Sequence, residues 1–122
     1  WIIDTFISYG AVDTAVIDTI TPGETLSLCG GLQVLATPGH TPDHISLYSL
    51  ATGVLFAGDA LNTRNDTLQP TAARITADET AATHSAIHLL ELGSAVIACG
   101  HGAPLVDKDS PQRGTLLNQL RA

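Results

Sequence analysis

Three short segments bring together residue types able to bind a metal. The first reads Thr37-Pro38-Gly39-His40-Thr41-Pro42-Asp43-His44. The second reads Leu55-Phe56-Ala57-Gly58-Asp59-Ala60-Leu61, and the third Cys99-Gly100-His101-Gly102-Ala103-Pro104. His40, Asp59 and His101 each fall just past the end of a predicted strand, where a rigid scaffold commonly holds reactive groups. Each is flanked by glycine, which lets the backbone turn sharply and approach a ligand closely. Two imidazoles and one carboxylate suit Zn, Fe or Mn.

Other candidates are weaker. Asp43 and His44 could support His40 or a substrate from behind, or Asp43 could cap a turn while His44 starts a strand. His84 and His88 stand four apart with Glu91 three further on. Ser85-Ala86-Ile87 lies between the two histidines, so the general base of a zinc-protease helix is missing. These three fall opposite the apolar stripe of Ala82, Ala86, Leu89 and Leu90, which reads as a solvated helix face. Cys99 reads as a small strand residue rather than a reactive thiol. Cys29 sits in a turn and carries no assigned role. Gly30-Gly31 is too short for a phosphate loop and leads into no helix.

The elements that position these residues are legible from Thr21 onward. Thr21-Pro22-Gly23-Glu24 is a turn. Predicted strands cover residues 25–28, 32–37, 44–50, 54–57 and 95–98, joined mainly by Gly-containing turns. Residues 61–75 are polar and irregular and read as a surface loop. A helix is expected over 76–92, with Thr76 and Glu79 as a capping box and Gly93 at its end. Ser110 caps a last helix with Pro111 at its first position and Leu116, Leu117 and Leu120 on one face. Residues 1–20 are ambiguous, since Ile2, Ile3, Phe6 and Ile7 fit a helical face and Ile2-Ile3 also fits a strand. The expectation is a single domain over residues 1–122, with residues 1–11 of uncertain structure. It has one mainly antiparallel or mixed sheet and two helices on one face.

Composition narrows the partners. The 122 residues carry a formal net charge of −7, which disfavours nucleic acid and anionic membrane surfaces. Charged residues make up 14 % of the chain, against about 25 % in typical domains. Such a charge-poor surface points to coverage by a partner or by further chain. Two cysteines without paired spacing suit a reducing cytosol, so a cytoplasmic setting is expected. No run approaches the ~18 apolar residues of a membrane span.

In order and spacing, the three segments resemble the last three metal-ligand motifs of the metallo-β-lactamase superfamily. That family's first ligand motif, His-x-His-x-Asp-His, does not occur in these residues. The resemblance therefore implies the C-terminal half of a metallo-β-lactamase αββα sandwich, in which two sheets pack face to face with helices outside. It implies that His40 binds a first metal, Asp59 bridges two metals and His101 binds the second. The metals would be Zn, Fe or Mn. The implied activity is hydrolysis of thioesters, lactones or related esters. Asp59 stands where the main class of antibiotic-hydrolysing relatives carries Cys, which argues against β-lactamase activity. Three ligands shared between two metals would bind weakly, so the chain is expected to be inactive by itself. A missing N-terminal half or a homodimer would complete it. The alternative is a non-catalytic, self-associating module whose ligand motifs are relics and whose two histidines simply hydrogen-bond to Asp59.

Overall fold

The computed structural model describes residues 18–122, so the helix-or-strand question at Ile2, Ile3, Phe6 and Ile7 lies outside the described residues. The main sheet is built from β1 (Thr25–Leu26), β2 (Leu32–Ala36), β3 (Ile45–Ser49), β4 (Val54–Gly58) and β7 (Val96–Cys99), in the order β1-β2-β3-β4-β7. The first four strands run antiparallel, joined by the tight turns that their glycines predict. β7 adds parallel to β4, with Leu55 opposite Ile97. A parallel pair needs a long crossover, and α1 (Glu79–Glu91) lies within it. α2 (Pro111–Arg121) follows β7.

Alternation along β4 decides which face is covered. Leu55 and Ala57 are fully buried, and with Ile97 they form a core with Ala86 and Leu89 of α1 and Leu116 of α2. Both helices thus pack on one face of the sheet. Burying a side chain such as Leu89 or Ile97 contributes roughly 1.5–3 kcal/mol. Phe56 points to the other face and remains 44 % exposed. Its cross-strand neighbours Leu47 and Ala98 are half-buried. Arg113 of α2 ties the helix to the start of β7. Its guanidinium donates to the carbonyls of Ser94 at 2.6 Å and Ala95 at 3.2 Å.

Two expectations need correction. The first concerns residues 61–75, which are only in part a surface loop, with 64–67 and 72–75 exposed. They form a hairpin of β5 (Leu61–Asn62) and β6 (Gln69–Pro70), with short 3-10 turns at Arg64–Asp66 and Ala73–Ile75. Leu61, Asn62, Thr63 and Leu68 are buried. The polar composition misleads because the polar side chains satisfy one another and nearby backbone. Asn62 donates to the Pro70 carbonyl at 3.2 Å, and Gln69 donates to Asn62 Oδ1 at 3.0 Å. Gln112 of α2 accepts from the Leu68 N–H at 2.7 Å.

The second concerns the cap of α1, which is Asp78 rather than Thr76. The Asp78 carboxylate accepts from the Ala81 N–H at 2.9 Å. Thr76 is extended and closes the preceding 3-10 turn, with its hydroxyl turned back to the Ala72 carbonyl at 3.0 Å. The expected end of α1 at Gly93 and the Ser110–Pro111 start of α2 are both observed.

Candidate functional site

His40, Asp59 and His101 meet at one edge of the sheet, each on a loop held by its own set of bonds. The His40 loop leaves β2 and is fastened to the start of α1. The Asp78 N–H donates to the Gly39 carbonyl at 3.0 Å, the Ala77 N–H to the His40 carbonyl at 3.2 Å, and Ser85 Oγ to the Pro38 carbonyl at 2.7 Å. Gly39 is required there, because a Cβ would run into the backbone of Ala82.

Asp59 follows β4 directly. An irregularity between Phe56 and Gly58 shifts the register against β7, and such bulges re-aim the side chains beyond them. The Gly100 N–H donates to the Gly58 carbonyl at 2.9 Å, which joins the Asp59 and His101 loops. The far side of the His101 loop is held by Thr63, whose N–H donates to the His101 carbonyl at 3.0 Å. Thr71 closes the other side by donating its hydroxyl to the Asp59 carbonyl.

His44 supports Asp59 rather than His40. The Asp59 N–H donates to His44 Nε2 at 3.0 Å, so that nitrogen must be unprotonated. His44 Nδ1 then carries the proton and donates to Thr37 Oγ1 at 2.8 Å. Thr37 Oγ1 in turn donates to Ser46 Oγ at 2.9 Å, and Ser46 donates to the Ala57 carbonyl at 3.1 Å. Every donor in this chain has an acceptor only if the imidazole is neutral. Burial accordingly lowers the His44 pKa from its ordinary value. Asp43 lies exposed in the turn before it and acts on His44 through charge alone.

The remaining sequence candidates sit elsewhere. His84 and His88 are exposed on α1, and Glu91 pairs with Arg121. Cys99 is the last residue of β7, and burial raises its thiol to about 11, which makes it a poor nucleophile at neutral pH. Cys29 is exposed.

Around Asp59 the geometry is that of two pairs. His40 Nε2 is 3.7 Å from Asp59 Oδ2, and His101 Nε2 is 3.4 Å from Asp59 Oδ1. Both separations exceed an ordinary N–H···O hydrogen bond. Two ligands each ~2.1 Å from a tetrahedral zinc lie about 3.4 Å apart, which matches the His101 separation, with the His40 separation slightly longer at 3.7 Å. Among the described residues His40 Nδ1 is buried with no hydrogen-bond partner, and it is Nε2 that faces Asp59. The kind and spacing of the donors therefore fit a carboxylate between two cations, with His40 on one side and His101 on the other. Their number falls short. Among the described residues no group of three or more His, Cys, Asp or Glu side chains encloses a single ion. A metal pair held here would lower the pKa of a bound water and polarise a carbonyl or phosphoryl oxygen. His40, Asp59 and His101 would fix its position.

The three residues line a cleft of about 330 Å³ together with Asn62, Arg64, Gln69, Thr71, Arg74 and Ile75 of the 61–75 segment. In the sequence this segment reads as a surface loop, and none of these side chains stands out in it. The available signal was Leu61 and Leu68, two leucines framing a polar stretch that a solvated loop would not need.

Comparison with known proteins agrees with this arrangement. The family model of the metallo-beta-lactamase superfamily matches residues 7–101. The chain is 36 % identical over 86 residues to the Bacillus subtilis protein named "Probable metallo-hydrolase YflN", covering 62 % of this chain and 33 % of that one. It is 56 % identical over 45 residues to a hydroxyacylglutathione hydrolase of Idiomarina loihiensis, covering 35 % of this chain and 17 % of that one. The chain thus spans a third or less of these curated relatives. Among solved structures, a metallo-beta-lactamase family protein of Thermus thermophilus superposes with a TM-score of 0.61 at 32 % identity, over 84 % of this chain and 34 % of that one. An archaeal superfamily protein of Sulfolobus tokodaii shares the fold, with a TM-score of 0.73 at 22 % identity over 93 % of this chain and 43 % of that one. No helix among the described residues is long and apolar enough to cross a membrane. The match spans most of the chain and takes in all three candidate ligands, and the chain belongs to the metallo-beta-lactamase superfamily.

Proposed function

We propose that this chain carries the His40, Asp59 and His101 ligands of a metal-dependent hydrolase acting on thioesters, lactones or related esters. The observation that carries the reading is the pair of imidazoles set on the two oxygens of one carboxylate, at the spacing of shared metal ligands. Partial identity to a hydroxyacylglutathione hydrolase supports the thioester class. The metal is Zn, Fe or Mn, and turnover needs further ligands from outside these residues, since His-x-His-x-Asp-His does not occur among them. The two unpaired cysteines suit a cytoplasmic setting. The test is co-expression with a superfamily segment that carries His-x-His-x-Asp-His. Metal affinity and thioesterase turnover should appear together and be lost on Asp59→Asn. No gain in either would sink the proposal.

A second reading is favoured by Phe56, which stands 44 % exposed on the sheet face opposite the helices. A second copy of this chain could cover that face and mimic a two-sheet sandwich about a two-fold axis. Sedimentation should then show a dimer that Phe56→Glu dissociates. A wild-type monomer at micromolar concentration would refute it.

A further inference from the structure

The chain has five basic side chains in all: Arg64, Arg74, Lys108, Arg113 and Arg121. Arg113 is bound to backbone carbonyls and Arg121 pairs with Glu91. Lys108 has no ion-pair partner among the described residues and lies outside the cleft, between Asp107 and Asp109 in the sequence. The other two line the same cleft as His40, Asp59 and His101. Neither has an ion-pair partner among the described residues, although the chain holds twelve Asp and Glu. In a molecule of net charge −7, two arginines that line the candidate site without an ion-pair partner among the described residues need a reason.

The backbone beneath them is fixed. The Arg64 N–H donates to Asn62 Oδ1 at 3.2 Å, and its carbonyl accepts from Gln69 at 3.4 Å. Asn65 and Asp66 follow with φ of 55° and 56°, a left-handed pair that side chains rarely adopt. The far side of that turn is held by Gln112, which donates to the Asp66 carbonyl at 3.2 Å. Arg74 is carried by its own 3-10 turn, closed by the Ile75 N–H on the Ala72 carbonyl at 3.0 Å. Both side chains are exposed, and a guanidinium matches the planar oxygens of carboxylate or phosphate bidentately.

We infer that Arg64 and Arg74 form an oxyanion-binding wall that receives a carboxylate or phosphate on the substrate and turns its ester or thioester towards His40, Asp59 and His101. The substrate class is therefore a small anionic ester or thioester rather than a neutral one. The assignment of the anion to a substrate rests on the hydrolase reading; the binding wall itself does not.

The test is binding to the metal-free 122-residue chain at pH 7, read from the arginine Nε–Hε NMR signals. The probes are glutarate, glycerol 2-phosphate and neutral glutaramide. At least one anion should shift both Arg64 and Arg74 while glutaramide shifts neither. The stronger of the two anions identifies the source as carboxylate or phosphate. Arg64→Gln with Arg74→Gln should weaken that anion about tenfold, as expected for charge-assisted hydrogen bonds. The corresponding Lys pair, which keeps the charge without the planar fork, should lose less. Equal binding of glutaramide, or unchanged affinity in the Gln pair, overturns the inference. Anion binding without turnover in the co-expressed hydrolase would reject the hydrolase reading and keep the wall. Turnover without anion binding would do the reverse.

Discussion

The backbone N–H of Asp59 is held by the ring of His44, fifteen residues earlier, through a 3.0 Å bond to Nε2. The residue that would bridge two metals is thus positioned by a histidine that is not among the residues lining the cleft and whose Nδ1 is hydrogen-bonded to Thr37 Oγ1. The order of sequence, Pro-Gly-His followed by Asp-His, puts one imidazole in the site and the other behind it.

Stability should fall in mildly acid solution because of His44. Burial lowers its folded pKa below the ordinary 6.5, so the unfolded chain binds the proton more readily than the folded one. The contribution is fully present above about pH 6.5 and is lost as pH drops through the lower folded value. Denaturant midpoints measured from pH 7.5 down to 5 should show this loss, and His44→Gln should flatten it. A wild-type slope unchanged by that substitution would place the titrating group elsewhere.

Gly58 should tolerate no side chain while His44 is present. Its φ is +57°, and a Cβ would stand 2.8 Å from His44 Nε2. Left-handed backbone costs about 1–2 kcal/mol for an L-residue, and the clash adds to it. Gly58→Ala should therefore destabilise by about 2 kcal/mol or more in urea unfolding. In a His44→Ala background the same change should cost only the backbone part, about 1 kcal/mol, because the two residues share a contact. Additive losses would mean that the ring and the glycine are not in contact.

The two cysteines should differ sharply in reactivity. Cys29 is exposed, whereas burial raises the Cys99 thiol to about 11. Iodoacetamide at pH 8 should label Cys29 and leave Cys99 largely unmodified in the folded chain, with both labelled in urea. Mass spectrometry of the peptides reads the ratio. Equal labelling in the native chain would contradict the burial of Cys99.

The three ligand motifs were legible because each is a short local pattern of glycine turns after a strand. The strands of the main sheet and the Ser110–Pro111 helix start were legible for the same reason. What escaped was non-local. Asn62 and Gln69 satisfy each other across a hairpin, and Leu68 is held by Gln112 forty-four residues away. No local pattern announces these bonds, so a partly buried hairpin reads as a polar loop. The cap of α1 moved from Thr76 to Asp78 because Thr76 was already used to close the turn before it. The support given by His44 to Asp59 depends on β3 and β4 pairing, which spacing along the chain does not reveal.

The most direct test of the central claim is a Zn²⁺ titration of the chain read from its imidazole NMR signals, with five histidines resolved in one spectrum: His40, His44, His84, His88 and His101. The account predicts that His40 and His101 shift together as Zn²⁺ is added, that His44 keeps its Nδ1-protonated form, and that Asp59→Asn removes the paired response. If only His84 and His88 on the surface of α1 respond while His40 and His101 stay unchanged, the three residues around Asp59 are not a metal site.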